Sequence, residues 1–205
     1  MAIKVNANVI DIRIDSPRSN DMFFVDTNVW YWVGYTNASI GDESNQSVNY
    51  PKYVGDALSA GSSLYRCTLS FAELAHSIER SERTIFEKST GKQIKPKIFR
   101  HDYPNERANI LTEIENTWVL SDGMTDGNTI EVDVSASMVS DTLTRLKSEG
   151  LDGYDAFMVE AILARGIKQV ITDDADFGQI SGITVFTAND FLIRQATKQG
   201  KIRRR

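Results

Sequence analysis

Four short apolar runs alternate along this chain with segments whose apolar residues recur at helical spacing. Phe23-Phe24-Val25 stops at Asp26, and residues 64–69, 169–172 and 183–186 repeat the pattern of a brief run closed by polar or turn-forming residues. Runs this short read as buried strands. Between them, Val29, Trp30 and Val33 fit one helical face, and Phe71, Leu74, Ala75 and Ile78 form a stripe after Ser70. Parallel strands need crossover connections, usually helices. The fold class is therefore α/β, a three-layer α/β/α arrangement with a mostly parallel central sheet.

Residues 10–14 and 130–134 alternate apolar and polar and predict two further strands. Residues 34–49 are rich in Ser, Asn and Gly and predict a loop. Pro51 is suited to the first position of a helix, with Val54, Ala57 and Leu58 inward and Gly61 ending it. Ile110, Leu111, Ile114 and Trp118 predict a helix, and residues 122–128 carry two Asp/Gly turn signals. Ser135 caps a helix that turns Met138, Val139, Leu143 and Leu146 inward and ends at Gly150. Asp152 opens the next, closed by Gly166, and Asn189 or Asp190 starts the last. Residues 81–103 are charged and weakly periodic and predict no definite element.

A chain of 205 residues fits one domain spanning 1–205: a core of about 22–193, an N-terminal extension of 1–21 and a basic tail of 194–205. The single cysteine, Cys67, excludes an internal disulfide and a multi-cysteine zinc site, and its place in a strand predicts simple burial. No apolar run approaches the ~20 residues of a membrane helix. The first residues lack the apolar stretch of a signal peptide, so the expectation is a cytoplasmic protein with no membrane partner. The formal net charge of −5 is uneven: five positives lie between Lys198 and Arg205, and removing them leaves −10 on the rest. A second basic stretch holds Lys92, Lys95, Lys97 and Arg100 with no acid between them. Acidic body and basic edges suit a metal-dependent phosphodiesterase; a solvated surface with a frayed tail gives the same composition.

In a parallel sheet the strand C-terminal ends and helix N-terminal ends share one edge, where ligands bind. Asp26 ends a strand; Glu73 and Asp155 sit in first turns of helices; Asp174 and Asp176 follow a strand. Two carboxylates ~4 Å apart repel by about 4 kcal/mol at an effective dielectric near 20. A cluster of them calls for a cation, and oxygen-only ligands favour Mg²⁺ or Mn²⁺ over zinc. Each acid also has a structural reading. Ser70-Phe71-Ala72-Glu73 has the form of a capping box, Asp152 that of an N-cap with Asp155 in the first turn, and Asp174 and Asp176 that of turn residues.

Phe23-Phe24-Val25-Asp26-Thr27-Asn28-Val29 resembles the opening strand and Asp-Thr-Asn of PIN domains. Ser70-Phe71-Ala72-Glu73-Leu74 is similar to their second acidic motif, and Tyr154-Asp155-Ala156 to their third. Thr172-Asp173-Asp174-Ala175-Asp176-Phe177 resembles the fourth. The motifs keep their order from about Met22 to Ile193. The resemblance implies a metal-dependent endoribonuclease leaving 5′-phosphate and 3′-hydroxyl ends. Asp26, Glu73, Asp155 and Asp174 would form the acidic site. Asn28 and Thr172 would orient carboxylates, and Asp176 would join the metal site. RNA is the implied substrate, and Lys92, Lys95, Lys97, Arg100, Lys201 and Arg203 are candidates to grip it. Many members are toxins of bacterial toxin–antitoxin pairs, so an antitoxin-like protein and a homodimer are further partner expectations. The N-terminal extension, the polar loop and the enlarged 81–103 segment depart from the small toxins. A structure-specific DNA nuclease and a non-catalytic RNA- or protein-binding PIN domain stay open.

Other chemistries fit less. Glu73-x-x-His76 has the form of a di-iron helix motif, which needs a second such helix, and His101, the other histidine, supplies none. No Gly-rich phosphate loop or nucleophile elbow is present. A phosphotransfer receiver would need a lysine beside a strand-end Asp, and none is evident. Trp30 and Trp32 could stack on bases, but Trp30 fits the core stripe.

Overall fold

The computed structural model describes residues 3–39 and 45–205. The loop expected over 34–49 lies partly on residues 40–44, outside the described residues. Six strands form one sheet among the described residues: β1 (Asn8–Asp11), β2 (Met22–Val25), β3 (Ser63–Cys67), β4 (Thr129–Ile130), β5 (Gln169–Ile171) and β6 (Thr184–Thr187). They lie in the order β1-β6-β5-β2-β3-β4, and every pairing is parallel. The helices are α1 (Thr27–Gly34), α2 (Asn45–Ser59), α3 (Ser70–Thr90), α4 (Pro96–Asp102), α5 (Pro104–Thr125), α6 (Ala136–Ser148), α7 (Gly153–Ala164) and α8 (Asp190–Lys198).

The period of two along each strand decides the layers. Phe23, Val25, Leu64, Ile171 and Phe186 pack on one face against Trp30 of α1 and Tyr50, Tyr53 and Val54 of α2. Val9, Phe24, Cys67, Val170 and Val185 pack on the other against Met158, Val159 and Ile162 of α7 and Leu192 of α8. Helices thus cover both faces, giving the three-layer α/β/α fold expected. Large side chains buried this fully each stabilise the fold by ~1.5–3 kcal/mol. A third cluster ties α3, α4 and α5 together through Leu74, Ile78, Phe99, Ile110 and Ile114.

Several boundaries depart from the sequence reading, each for a tertiary reason. Pro51 lies inside α2, which starts at Asn45. Proline forgoes one ladder bond there. The helix persists because Tyr50 is fully buried, with its hydroxyl against Thr172, Asp173 and Thr187. The segment 81–103 is the second half of α3 followed by α4, held by Phe86 against Phe99 and Tyr103. The turn signals at 122–128 come into force only at Asp126 and Gly127, both at positive φ after α5. The strand expected over 130–134 is cut to β4, which pairs only with Arg66 and Cys67 of β3. Ser135 caps α6 as expected, yet Val139, Leu143 and Leu146 face solvent rather than the core, Leu143 at 52% exposure. The helix instead seats Thr142, and Arg145 pairs with Glu160 of α7. Periodicity shows that a stripe exists, not which way the helix is rolled.

The strand read at 10–14 lies two residues earlier, as β1, and forms one edge of the sheet. The basic tail folds back along it. Val9 N–H donates to Lys201, Arg203 N–H donates to Val9, and Ile202 bridges Val9. Arg205 pairs with Asp15 and Asp21 and lies 4.7 Å over the Phe186 ring. The tail is therefore built into the fold rather than frayed, and it covers an edge that would otherwise offer open backbone groups. None of the helices is long and apolar enough to cross a membrane among the described residues.

Candidate functional site

At the C-terminal edge of the sheet, β2 and β5 are neighbours and end side by side. Asp26 leaves β2 in extended conformation and caps α1, its Oδ1 accepting from Thr27 N–H at 2.7 Å. Its Oδ2 accepts from Asn28 Nδ2 and from Thr172 Oγ1, both at 2.6 Å. Asn28 Oδ1 in turn accepts from Asp173 N–H, and Thr172 Oγ1 accepts from Asp174 N–H. Asn28 and Thr172 thus bridge Asp26 to the backbone of Asp173 and Asp174. Asp26 is 3% exposed, so three donors take the place of water.

Glu73 projects from the first turn of α3, and its Oε2 accepts from Thr27 Oγ1 at 2.7 Å. The capping-box reading fails here: Ser70 is buried inside the helix, where its hydroxyl lies against Met158 Sδ. Asp155 is in the first turn of α7, which Asp152 caps through a 2.9 Å bond from Asp155 N–H. Asp174 caps the 3₁₀ turn Ala175–Gln179 through Asp176 N–H. The structural readings of Asp152 and Asp174 are thus correct, and both side chains also reach the site.

Asp26, Thr27, Asn28, Glu73, Ser77, Asp152, Asp155 and Asp174 line one cleft of about 180 Å³. Carboxylate oxygens of Glu73, Asp152 and Asp155 lie within 4.8 Å of one another. Burial holds the Asp26 carboxyl above the usual aspartate range, helped by the charges of Glu73 and Asp174. Burial raises Asp155 too, with Asp26, Asp152, Asp174 and Glu73 adding. Glu73 is raised by burial and by Asp152 and Asp174, against the lowering effect of the Thr27 bond. An oxygen-only site that resists its own ionisation has the donor chemistry of a hard divalent cation.

The four acids read from the sequence therefore share one cleft. Asp176 is not among its lining residues; its N–H binds Asp174 and its Oδ1 accepts from Gln179. Asp152, which the sequence marks only as an N-cap, is a lining residue as well. Its spacing of three from Asp155, on one helix start, was the available signal. The basic residues do not gather here. Lys92, Lys95 and Lys97 follow the far end of α3, ~25 Å along the helix from Glu73 at 1.5 Å per residue. Arg100 binds Glu79, and Lys201 and Arg203 lie on the β1 edge.

No family model matches this chain, and no curated protein does. Among solved structures, the chain is similar to one described as the crystal structure of VapBC2 from Rickettsia felis bound to a DNA fragment from their promoter. That match has 14% identity and a TM-score of 0.44, and covers 81% of this chain and 98% of that one.

Proposed function

We propose that this chain is a metal-dependent endoribonuclease of the PIN type, with Asp26, Glu73, Asp152, Asp155 and Asp174 as its active centre. The observation that carries the proposal is the convergence of these five acids, from four separate elements, in one cleft at the sheet edge. Structural roles explain single acids but not this meeting, in which burial raises Asp26, Asp155 and Glu73 together.

Glu73, Asp152 and Asp155 would hold the cation, with Asp26 and Asp174 beside them. Mg²⁺ or Mn²⁺, if held there, would supply a Lewis acid to activate water and offset charge on a scissile phosphate. The residues do the rest. Each oxygen of Asp26 is bound, so its carboxyl is held in one orientation at the cleft floor. Glu73 is anchored through one oxygen by Thr27, which leaves the other to orient a water for attack. Oxygen ligands with no paired histidines favour hydrolysis that spares the 2′-hydroxyl, giving 5′-phosphate and 3′-hydroxyl ends.

The test is cleavage of a defined single-stranded RNA by excess protein, with Mg²⁺, with Mn²⁺ and with EDTA, followed by mapping of the ends. EDTA should stop cleavage, and Asp26→Asn should abolish it in a folded protein. Cleavage that survives EDTA, or 2′,3′-cyclic phosphate ends, would reject the mechanism. Cutting of structured DNA alone would replace RNA as substrate, and metal binding without any cleavage would favour a binding domain.

A further inference from the structure

A channel of adjoining spaces borders the acidic cleft along α3. Glu73, Ser77 and Asp152 line both the acidic cleft and a neighbouring space of about 510 Å³, whose other walls include His76 and Tyr154. Ala72 and His76 also border a third space, of about 440 Å³, walled by Phe71, Arg100 and Arg107. Glu73, His76 and Glu79 wind about a third of a turn around α3, and the arginine end stands ~9 Å from Glu73 along the axis.

The far end of this channel is a fixed cationic wall. Glu79 is 7% exposed and takes Arg100 Nε at 2.8 Å and Arg107 Nη1 at 2.8 Å. One buried carboxylate thus fixes two guanidiniums, and the trio keeps one net positive charge facing the cleft. Arg100 and Arg107 are only part-covered, at 44% and 33% side-chain exposure, so donors remain for an anion. Two large aromatics, Phe71 and Tyr154, stand half-exposed in the channel walls, at 45% and 51%. Aromatic faces beside preset guanidiniums next to a polyanion-cutting centre are the elements of a single-strand track.

We propose that this channel is the binding track for the single-stranded RNA flanking the scissile bond. Arg107 and Arg100 take a backbone phosphate, while Tyr154 and Phe71 stack on bases on either side of His76. The assignment rests on the nuclease reading of the acidic cleft and names its substrate class. It also gives the cationic grip that an acidic centre in a chain of net charge −5 otherwise lacks.

Binding of a fluorescent single-stranded oligoribonucleotide to the Asp26→Asn protein tests the track without cleavage. Tyr154→Ala and Phe71→Ala remove exposed rings, and Arg107→Gln leaves Arg100 on Glu79, so the fold should persist; thermal melts check it. Each aromatic variant should weaken binding by about fivefold or more. Arg107→Gln should weaken binding and flatten the slope of log affinity against log salt by ~0.7 for one lost phosphate contact. Duplex RNA of the same sequence should be insensitive to the aromatic variants. Unchanged affinity and slope in all three folded variants, or no RNA binding even at low salt, would overturn the track. The two readings separate cleanly. Wild-type protein that binds through these residues yet never cleaves would sink the nuclease reading alone. Wild-type-like KM for cleavage in the three variants would sink the track alone.

Discussion

Thr172 donates its hydroxyl to Asp26 Oδ2 at 2.6 Å, joining the ends of two neighbouring strands whose residues are 146 positions apart in the chain. The Thr172 Oγ1 also accepts from Asp174 N–H at 2.9 Å, so one fully buried hydroxyl sets two of the acids. Thr172→Val keeps the shape and removes both bonds. We expect a loss of ~1–3 kcal/mol in urea unfolding, with Thr172→Ser largely sparing it. An unchanged midpoint in Thr172→Val would mean that the hydroxyl does not fix the site.

The acids give the metal-free protein a definite pH dependence. Asp26, Glu73 and Asp155 are raised by burial first and by neighbouring charge second. A raised carboxyl holds its proton in the folded state after the unfolded chain has lost it. Its contribution to stability is therefore complete below the ordinary value, 3.8 for aspartate, and is lost as pH rises through the folded value. Asp11, Asp21 and Glu79 are lowered by arginine partners and lose their contribution only in acid, outside this range. In EDTA, the melting temperature should fall from pH 5.5 to pH 8, and Asp155→Asn should flatten that fall. A metal-free melting temperature that climbs over the same range would contradict the electrostatics.

Asp152 separates capping from metal holding. Asparagine is as good an N-cap as aspartate, so Asp152→Asn should leave the start of α7 intact. It removes one of three carboxylates that lie within 4.8 Å. Isothermal titration with Mn²⁺ should show affinity weakened about tenfold or more, with the EDTA-state melting temperature unchanged or raised. Wild-type Mn²⁺ affinity would return Asp152 to a purely structural role.

Arg205 is expected to act in stability. Its guanidinium meets Asp15 and Asp21, whose side chains are 2% and 5% exposed. Arg205→Ala would take the counter-charge from both carboxylates, which keep only the Tyr53, Gln169 and Arg18 donors, at a cost of up to about 3 kcal/mol in denaturant unfolding. The salt dependence of RNA binding should not change, which distinguishes this role from that of a basic tail gripping phosphate.

The sheet and the site were legible to different depths. Phe23-Phe24-Val25 and Gln169-Val170-Ile171 announced their strands because both faces of a central parallel strand are buried. The placement of Asp26, Glu73, Asp155 and Asp174 on one edge followed from topology alone. Asp152 was hidden because a local cap bond explained it fully. The roll of α6 was hidden because Thr142, rather than Leu143, meets its neighbours. Arg205 was hidden because its partners, Asp15 and Asp21, lie more than 180 residues away. Pairings of that kind leave no periodic trace.

The carboxylates at the ends of β2 and β5 and the starts of α3 and α7 are expected to form a cation site. A crystal of the protein soaked in Mn²⁺, with anomalous scattering measured near the manganese edge, tests it most directly. The expected result is a peak bound by oxygens of Glu73, Asp152 and Asp155, with Asp26 and Asp174 bordering it, that vanishes in Asp155→Asn. Well-ordered density for all five side chains with no peak among them, or a peak only elsewhere on the surface, would mean that these carboxylates hold no cation.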